Sequence, residues 1–214
     1  ALDITMNQDA SFYIDTRNLR QWATNHLKGK RVLNTFAYTG SLGIAALAAG
    51  ARVVQTDLNR TFLNLAKQSC AMNGLPISRR DFIAGDFFVV MKQLAKQQQR
   101  FDCIFLDPPF FSKTSKGTVD LAQNMTRLIN KVRPLVKDGV TVVAVNNAVY
   151  LGGHDYMQIL EALSDNEFVT VHTRIDVPAD CTGYPDTVTQ IPLISQAPFN
   201  HTTKIAILCI RHRQ

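Results

Sequence analysis

The sequence has no apolar run near the roughly 20 residues that a membrane-spanning helix needs, and no signal peptide opens it. Its four cysteines are widely scattered without a CxxC pair, and its five histidines lack the spacing of metal ligands. We therefore expect reduced thiols, no bound metal, no membrane contact and a cytoplasmic location. No internal repeat, low-complexity segment or change of composition divides the 214 residues, which favours one globular domain with a large core.

The chain is basic, with 23 lysines and arginines, 17 acidic residues and a formal net charge of +6. This balance is compatible with a polyanionic partner such as a nucleic acid. The basic residues do not form one continuous run, so charge alone favours nucleic acid only modestly. The partner has to be inferred from motifs.

Apolar patterns typical of strands alternate with helical patterns along the whole chain. Such alternation indicates an α/β fold with a mostly parallel sheet and helices on both faces. No helix separates the last two strands, so we expect them to pair antiparallel through a long connection, residues 178–203, whose length suggests a functional role. The predicted strands are 31–36, 52–57, 81–86, 101–107, 139–147, 168–177 and 204–213, and the predicted helices are 17–29, 41–50, 59–74, 87–99, 119–132 and 154–164.

Residue types at the helix ends agree with these boundaries. Thr16 and Asn59 are candidate N-caps, because short polar side chains accept hydrogen bonds from the free N–H groups of a first turn. Gly29, Gly50 and Gly74 stand where helices are expected to stop.

A glycine or a carboxylate stands at the end of each of the first four predicted strands. The first strand runs into NTFAYTGSLG, where Gly40 and Gly43 permit a tight turn, and the next three end in Asp57, Asp86 and Asp107. Each feature alone is ordinary turn or capping chemistry. In an open parallel sheet, however, ligands bind beyond the carboxyl ends of the strands. Four such ends in a row therefore predict a ligand site at this edge.

The absence of a G-x-G-x-x-G loop narrows the choice of ligand. That loop binds a pyrophosphate, so we expect a nucleoside cofactor without a diphosphate. S-adenosyl-L-methionine fits this description. Asp57 follows the glycines at the distance of a ribose-binding acid, and Asp86 and Phe87 would hold the adenine. The aminoacyl end would lie over the first loop, residues 36–40.

The fourth strand ends in a rigid elbow, Asp107-Pro108-Pro109-Phe110. The two prolines fix φ and remove two N–H donors, which presets the loop and leaves carbonyl groups facing outward. A planar base can bond to Asp107 and to the Pro108 carbonyl while it stacks on Phe110, with a nitrogen aimed at the methyl sulfonium. Methyl transfer of this kind needs alignment and charge complementarity rather than a covalent partner. The alternative is a plain turn between strand and helix.

These segments resemble the class I S-adenosylmethionine-dependent methyltransferases that modify bases in bacterial large-subunit ribosomal RNA. The similar segments cover nearly the whole chain and are SFYIDTRNLR, VLNTFAYTGSLG, TDLNRTFLNLAKQSCAMNGL, GDFF and FDCIFLDPPFFSKTSKG. FAYTG followed by LDPPFF is fairly specific for the branch with cytosine C5 and guanine N7 methyltransferases. The resemblance implies a Rossmann-like fold with a seven-stranded sheet. It also implies an N-terminal extension with the first helix over residues 1–30 and a methyltransferase domain over residues 31–214.

The resemblance also implies roles for single residues, with catalysis at the elbow. The implied cofactor ligands are Phe36, Tyr38, Thr39, Gly40, Ser41, Asp57, Leu58, Asp86 and Phe87. The implied RNA contacts are Arg17, Arg20, Phe111, Lys113, Asn146, Asn147 and His201. For the two arginines a position close to the cofactor and a solvated helix start both stay open, and for the histidine a simple turn stays open.

One departure from the family concerns cysteine. Methylation of cytosine C5 needs a thiolate that adds first at C6, and in this family that cysteine follows the fifth strand. Here the fifth strand ends in VAVNNAVY, with Asn146 and Asn147 in its place. Cys103 lies inside a strand, and Cys181 in the long connection stays open as a substitute. The Asn-Asn pair resembles the guanine N7 branch, and this resemblance implies transfer to a nitrogen of ribosomal RNA, with guanine as the base.

Three other functions stay open at this point. They are cytosine C5 methylation of ribosomal RNA, N-methylation of DNA adenine or a protein amide, and cofactor-dependent RNA binding during ribosome assembly without catalysis. Members of the family often carry an additional RNA-binding domain, for which the 214 residues leave no room. RNA would then be held by a domain outside this sequence, or by the basic face and the long connection. A monomer or homodimer is expected.

Overall fold

The computed structural model describes residues 1–6, 11–114, 117–164, 168–183 and 194–212, with the backbone alone at residues 111, 113, 114 and 117–124. Within these residues one seven-stranded sheet is formed by β1 (Arg31–Thr35), β2 (Arg52–Asp57), β3 (Phe82–Ala84), β4 (Phe101–Leu106), β7 (Val136–Asn146), β8 (Val169–Ile175) and β9 (Lys204–Ile210). A separate hairpin consists of β5 (Phe111–Thr114) and β6 (Gly117–Asp120). The helices are α1 (Arg17–His26), α2 (Ser41–Ala48), α3 (Arg60–Met72), α4 (Phe87–Lys96), α5 (Leu121–Val132), α6 (Gly153–Glu161) and the single turn α7 (Ala179–Thr182).

The strand order of the sheet is β3-β2-β1-β4-β7-β9-β8. The pairs β1–β2, β1–β4, β2–β3 and β4–β7 are parallel, whereas β9 is antiparallel to both β7 and β8. The predicted α/β class is thus confirmed, as is the antiparallel pairing of the last two strands. Because the chain order reverses between β1 and β4, the sheet has its ligand-binding switch point there.

The sheet is covered by helices on both faces. Successive side chains of a strand point to opposite faces, and β4 illustrates this. Cys103 and Phe105 pack in the cluster that includes α1 and α2, whereas Ile104 and Leu106 pack in the cluster that includes α4, α5 and α6. A strand buried on both faces must be apolar almost throughout, as FDCIFL is. No helix in the described part of the chain is long and apolar enough to cross a membrane.

The hairpin β5–β6 was not predicted by the sequence pattern. The prediction placed an irregular segment after the fourth strand and began a helix at residue 119, whereas the structure has two short strands and begins α5 at Leu121. The sequences FSKT and GTVD lack any alternation of apolar residues, which is the signal on which strand prediction rests.

Several predicted element ends were also wrong. α1 ends at His26 instead of Gly29. Thr16 occupies the N-cap position as predicted, but its hydroxyl donates to the Tyr13 carbonyl over 3.1 Å and accepts no hydrogen bond from the first turn of the helix. β3 ends at Ala84, so Asp86 is the N-cap of α4 rather than a strand residue. Asn59 caps α3 as predicted, since its Oδ1 accepts from the Thr61 N–H over 2.8 Å.

Candidate functional site

A cavity of about 490 Å³ opens at the edge of the sheet where β1, β2, β4 and β7 end. Small-molecule sites commonly have volumes of about 300–1,000 Å³. The cavity also lies at the switch point between β1 and β4, where open α/β sheets bind their ligands. Its walls include these residues predicted from the sequence: Phe36, Tyr38, Ser41, Asp57, Leu58, Asp86, Phe87, Asp107, Pro108, Pro109 and Asn147.

The first loop has an unusual backbone. Phe36 has a φ of 52°, Tyr38 a φ of 51° and Gly40 a φ of 81°, all in the left-handed region. Such a conformation costs a non-glycine residue on the order of 1–3 kcal/mol and is common where a ligand is held. A Cβ on Gly40 would lie 2.7 Å from both Ala66 Cβ and Gln55 Oε1, so only glycine fits there. Gly40 is not among the lining residues, but it permits the backbone turn of the first loop.

Asp57 is fixed by two backbone groups. Its Oδ2 accepts a hydrogen bond from the Tyr38 N–H, and its Oδ1 accepts from the Asn59 N–H, each over 2.8 Å. Burial raises the pKa of this carboxyl, while the backbone bonds act in the opposite direction. Each carboxylate oxygen can accept more than one hydrogen bond, so Asp57 can still accept hydrogen bonds from the two neighbouring hydroxyls of a ribose.

Asp86 and the aromatic residues beside it form a second part of the wall. The Asp86 Oδ1 accepts from the N–H groups of Phe88 (2.9 Å) and Val89 (3.2 Å), and so caps α4. The rings of Phe36 and Phe87 stack with centroids 4.6 Å apart and an interplanar angle of 22°. These flat apolar surfaces next to a carboxylate suit a planar nitrogen heterocycle.

Asp107 lines the same cavity. Burial raises the pKa of its carboxyl to about 7, and the nearby Asp15 carboxylate contributes to that rise. The group therefore changes its ionisation near neutral pH. Pro108 and Pro109 line the cavity beside it, as the predicted elbow requires.

The two asparagines at the end of β7 have different surroundings. Asn147 lines the cavity, whereas Asn146 is fully buried and its Oδ1 accepts from the Ala148 N–H over 2.9 Å. The buried Lys204 ammonium holds the same turn, because it donates to the Ala148 carbonyl over 3.1 Å. Burial lowers the pKa of Lys204 to about 8. Asn146 and Lys204 thus position the loop that presents Asn147.

Other predicted RNA contacts lie outside the cavity lining. Arg17 pairs with Asp180, with Nη1 and Oδ2 2.9 Å apart. Arg20 donates to the Tyr13 carbonyl over 2.8 Å, and burial lowers its pKa. His201 accepts from the Thr203 N–H at Nδ1 over 3.1 Å. RNA binding by Arg17, Arg20 and His201 stays a prediction.

Four more predicted residues are not part of the described lining. Thr39 is buried and donates to the Ser11 carbonyl over 2.7 Å, so it anchors the N-terminal segment to the first loop. Phe110 is 45% exposed beyond the prolines. Phe111 and Lys113 belong to β5, and their side chains lie outside the described part of the structure.

The sequence reasoning missed the wall formed by the N-terminal segment and the start of β9. Tyr13, Asp15 and Thr16 line the cavity together with Thr203. The Thr203 hydroxyl donates to Asp15 Oδ2 over 2.6 Å, which joins residues 188 positions apart. In the segment SFYIDTRNLR the predicted ligand contacts were Arg17 and Arg20, whereas Tyr13, Asp15 and Thr16 are the residues that line the cavity.

The cysteines are poorly suited to nucleophilic attack. All four are free thiols, and none lines the described cavity. Burial raises the pKa of Cys103 far above its ordinary value. Burial also raises the pKa of Cys181, with the Asp180 carboxylate adding to the effect. A reactive cysteine needs a lowered pKa, because the thiolate is the nucleophile.

The lining carries acidic charge only. Four carboxylates, Asp15, Asp57, Asp86 and Asp107, occur among the described lining residues, and no lysine, arginine or histidine does. Such a cavity favours a cationic ligand. S-adenosylmethionine, which carries a sulfonium and an ammonium group, fits this lining. Within the described residues no three histidine, cysteine, aspartate or glutamate side chains could hold a metal ion.

Comparison with known proteins gives a family match over most of the chain. The model of a family described as S-adenosylmethionine-dependent methyltransferase matches residues 1–190. Ribosomal RNA large subunit methyltransferase I of Aeromonas salmonicida (strain A449) is 42% identical over 114 residues, which are 53% of this chain and 29% of that protein. Ribosomal RNA large subunit methyltransferase K/L of Psychrobacter sp. (strain PRwf-1) is 39% identical over 144 residues, which are 65% of this chain and 18% of that protein. The chain thus matches less than a third of the length of either relative.

A solved structure has the same fold. It is a putative methyltransferase complexed with SAH, with a TM-score of 0.79 and 21% sequence identity, and the match covers 94% of this chain and 50% of that chain. This likeness confirms the Rossmann-like fold with a seven-stranded sheet.

Proposed function

The chain belongs to the S-adenosylmethionine-dependent methyltransferase family, with S-adenosylmethionine as its cofactor, and we propose that it methylates a guanine nitrogen of large-subunit ribosomal RNA. One observation carries the proposal. A single cavity is lined both by Asp57, the predicted ribose ligand, and by Asp107, the predicted base ligand. Methyl transfer depends mainly on alignment, and a cavity shared by donor and acceptor provides it.

The donor would lie on the β2 and β3 side of the cavity. Asp57 would accept hydrogen bonds from the ribose hydroxyls, and Asp86 with Phe87 would hold the adenine. Tyr38 and Ser41 would border the aminoacyl end. Thr39 and Gly40 would act indirectly, by stabilising the conformation of the first loop. S-adenosylmethionine supplies an electrophilic methyl group on a positively charged sulfur.

The acceptor base would lie on the β4 and β7 side. Asp107 and the Pro108 carbonyl would accept from its N–H groups, and Asn147 adds an amide that both donates and accepts. The exposed Phe110 ring lies next to this wall in the chain and would stack on the incoming base. Aromatic stacking together with bonds to the base edge is how unpaired RNA bases are commonly bound.

A nitrogen is favoured over cytosine C5 because no suitable thiol lines the described cavity. A ring nitrogen such as guanine N7 has an in-plane lone pair that forms the new N–C bond while the S–C bond breaks. The positive charge passes from sulfur to the base, so this step needs no general base. The ionised Asp107 carboxylate would stabilise that charge.

Ribosomal RNA is proposed as the partner on two grounds. The two relatives described above carry the name of large-subunit ribosomal RNA methyltransferases. The net charge of +6 also favours binding to a polyanion.

The proposal is tested by supplying methyl-labelled S-adenosylmethionine together with total RNA from cells that lack the corresponding gene. Parallel reactions receive the same RNA from normal cells, DNA or a protein extract. We expect label in large-subunit ribosomal RNA of the deficient cells and little in the other three substrates. Label in DNA or protein alone would contradict the proposal.

A further inference from the structure

A second cavity, of about 420 Å³, lies at the other edge of the sheet. Its described lining consists of Arg100, Asn130, Arg133, Pro134 and His212, and no acidic residue occurs among them. The described lining of the first cavity, in contrast, carries carboxylates and no basic side chain. The two cavities therefore differ in the sign of their charge, and the second suits an anionic ligand.

The fold brings the basic residues of this cavity together from three separate segments. Arg100 comes directly before β4, Arg133 comes just before β7, and His212 follows β9, which is antiparallel to β7. All three thus lie at the edge where the parallel strands begin. The whole of β4 separates Arg100 from Asp107, which puts the two residues about 20 Å apart at about 3.3 Å per strand residue. The second cavity is therefore remote from the first.

Neighbouring groups hold the polar side chains of the second cavity in place. The Arg133 Nη1 donates to Asn130 Oδ1 over 3.1 Å, and the Arg133 guanidinium lies 5.9 Å from the centre of the Phe168 ring. The His212 Nε2 lies 2.8 Å from the Val136 carbonyl oxygen, which can only accept, so this nitrogen carries a proton. A guanidinium has five N–H donors, so Arg133 keeps further donors for a ligand.

The two arginines keep their charge uncompensated by an ion pair. Within the described residues, no salt bridge includes Arg100 or Arg133. One carboxylate borders the cavity, because the Asp138 Oδ1 accepts from the His212 backbone N–H over 2.7 Å. Two guanidinium groups beside one carboxylate leave a net positive charge at this cavity.

We propose that the second cavity binds a backbone phosphate of the RNA substrate. A guanidinium matches a phosphate through two parallel N–H···O bonds, and Arg100 and Arg133 together with the Asn130 amide supply the donors. Contacts of this kind position the RNA backbone and do not read the bases. The inference rests on the proposed RNA substrate and adds to it a contact outside the first cavity.

The distance between the two cavities determines which RNA can occupy both. A stacked strand advances about 3.4 Å per nucleotide, so a span of about 20 Å needs about six nucleotides or more. The second cavity therefore favours a long or folded RNA over a short acceptor. Because the bound phosphate is remote from the reacting atoms, its loss should weaken RNA binding and leave the chemical step unchanged.

The test compares the double variant Arg100→Gln/Arg133→Gln with the wild type in binding to large-subunit ribosomal RNA at several salt concentrations. We expect binding to weaken about three- to tenfold near 0.15 M salt, and the slope of log K against log salt concentration to fall by about one, since one phosphate contact is lost. In methyl transfer to the same RNA, KM should rise while kcat stays unchanged. Unchanged affinity for S-adenosylmethionine shows that the variant is folded.

The double variant Lys67→Gln/Lys92→Gln is a matched control, because it removes two positive charges from α3 and α4. Exposed charges are largely screened beyond about 8 Å at physiological salt, so a loss of net charge alone should have little effect. We therefore expect the control to bind ribosomal RNA with the affinity and the salt slope of the wild type. Titration with inorganic phosphate distinguishes a free anion from the RNA backbone as the ligand.

The inference is overturned if Arg100→Gln/Arg133→Gln binds ribosomal RNA with the affinity and salt slope of the wild type, or if the control weakens binding equally. Binding of inorganic phosphate that the double variant loses, while its RNA binding stays normal, would assign the cavity to a small anion and overturn the inference too. Each of these results would leave the proposed function standing. A wild type that neither binds nor methylates ribosomal RNA would overturn the proposed function as well.

Discussion

The Tyr38 backbone N–H donates a hydrogen bond to Asp57 Oδ2 over 2.8 Å, and this bond joins the first loop to the end of β2. Tyr38 has a left-handed φ of 51°, so the loop holds this hydrogen bond in a conformation that is uncommon for a non-glycine residue. The same hydrogen bond therefore fixes both the strained first loop and the carboxylate of Asp57. Both residues line the cavity, so this hydrogen bond fixes part of the cavity wall.

Asp57→Asn is expected to weaken S-adenosylmethionine binding by about ten- to a hundredfold. The amide can accept from only one of the two N–H donors, Tyr38 or Asn59, and it presents a donor where a ribose hydroxyl needs an acceptor. Calorimetric titration measures the change, with Asp138→Asn as a control on a distant exposed carboxylate. Unchanged affinity would remove Asp57 from the donor site.

Asp107→Asn is expected to change how stability depends on pH. Folding raises the pKa of Asp107 from 3.8 to about 7, so the folded chain binds this proton more tightly and loses stability as the pH rises through that interval. The asparagine side chain does not ionise, so the variant does not lose this stability as the pH rises. Its free energy of unfolding relative to the wild type should rise by roughly 1–3 kcal/mol between pH 4 and pH 8. Denaturant unfolding at several pH values measures it, and a constant difference between the two proteins would count against a raised pKa.

Lys204→Met is expected to destabilise the fold by roughly 2–4 kcal/mol. The buried ammonium donates to the Ala148 carbonyl, the Gln196 Oε1 and the Thr202 carbonyl, and methionine would leave these acceptors without a donor. Urea unfolding provides the measurement. Lys92→Met, on the exposed side of α4, should change stability by less than about 0.5 kcal/mol. Equal effects of the two substitutions would contradict a structural role for the buried lysine.

Gly43→Ala is expected to destabilise the fold by roughly 1–3 kcal/mol through a steric clash. The new Cβ would lie 2.5 Å from Gln55 Oε1, and the Gln55 Nε2 is itself buried without a partner. A second substitution, Gln55→Ala, makes room for the methyl group. The double variant should therefore be more stable than the two separate losses would predict, and strict additivity in thermal unfolding would refute the clash.

The sequence predicts those parts of the site that follow from local pattern. Asp57 and Asp107 stand at the ends of apolar strands, and the ends of parallel strands share one edge of a sheet. The sequence alone therefore predicts that both residues border one site. The bond between Asp15 and Thr203 spans 188 positions and has no local signature. The sequence does not distinguish Asn146 from Asn147, yet Asn146 is the buried last residue of β7, whereas Asn147 lies just beyond the strand in the cavity wall.

The central claim is that Asp107 presents a guanine nitrogen to the methyl donor inside one cavity. The most direct measurement is mass spectrometry of nucleosides from ribosomal RNA of gene-deficient cells, after incubation with S-adenosylmethionine and either the wild type or Asp107→Ala. We expect one additional methylated guanine with the wild type and none with the variant, whose S-adenosylmethionine affinity falls only modestly. A methylated cytosine, or the same methylated guanine formed undiminished by Asp107→Ala, would contradict it.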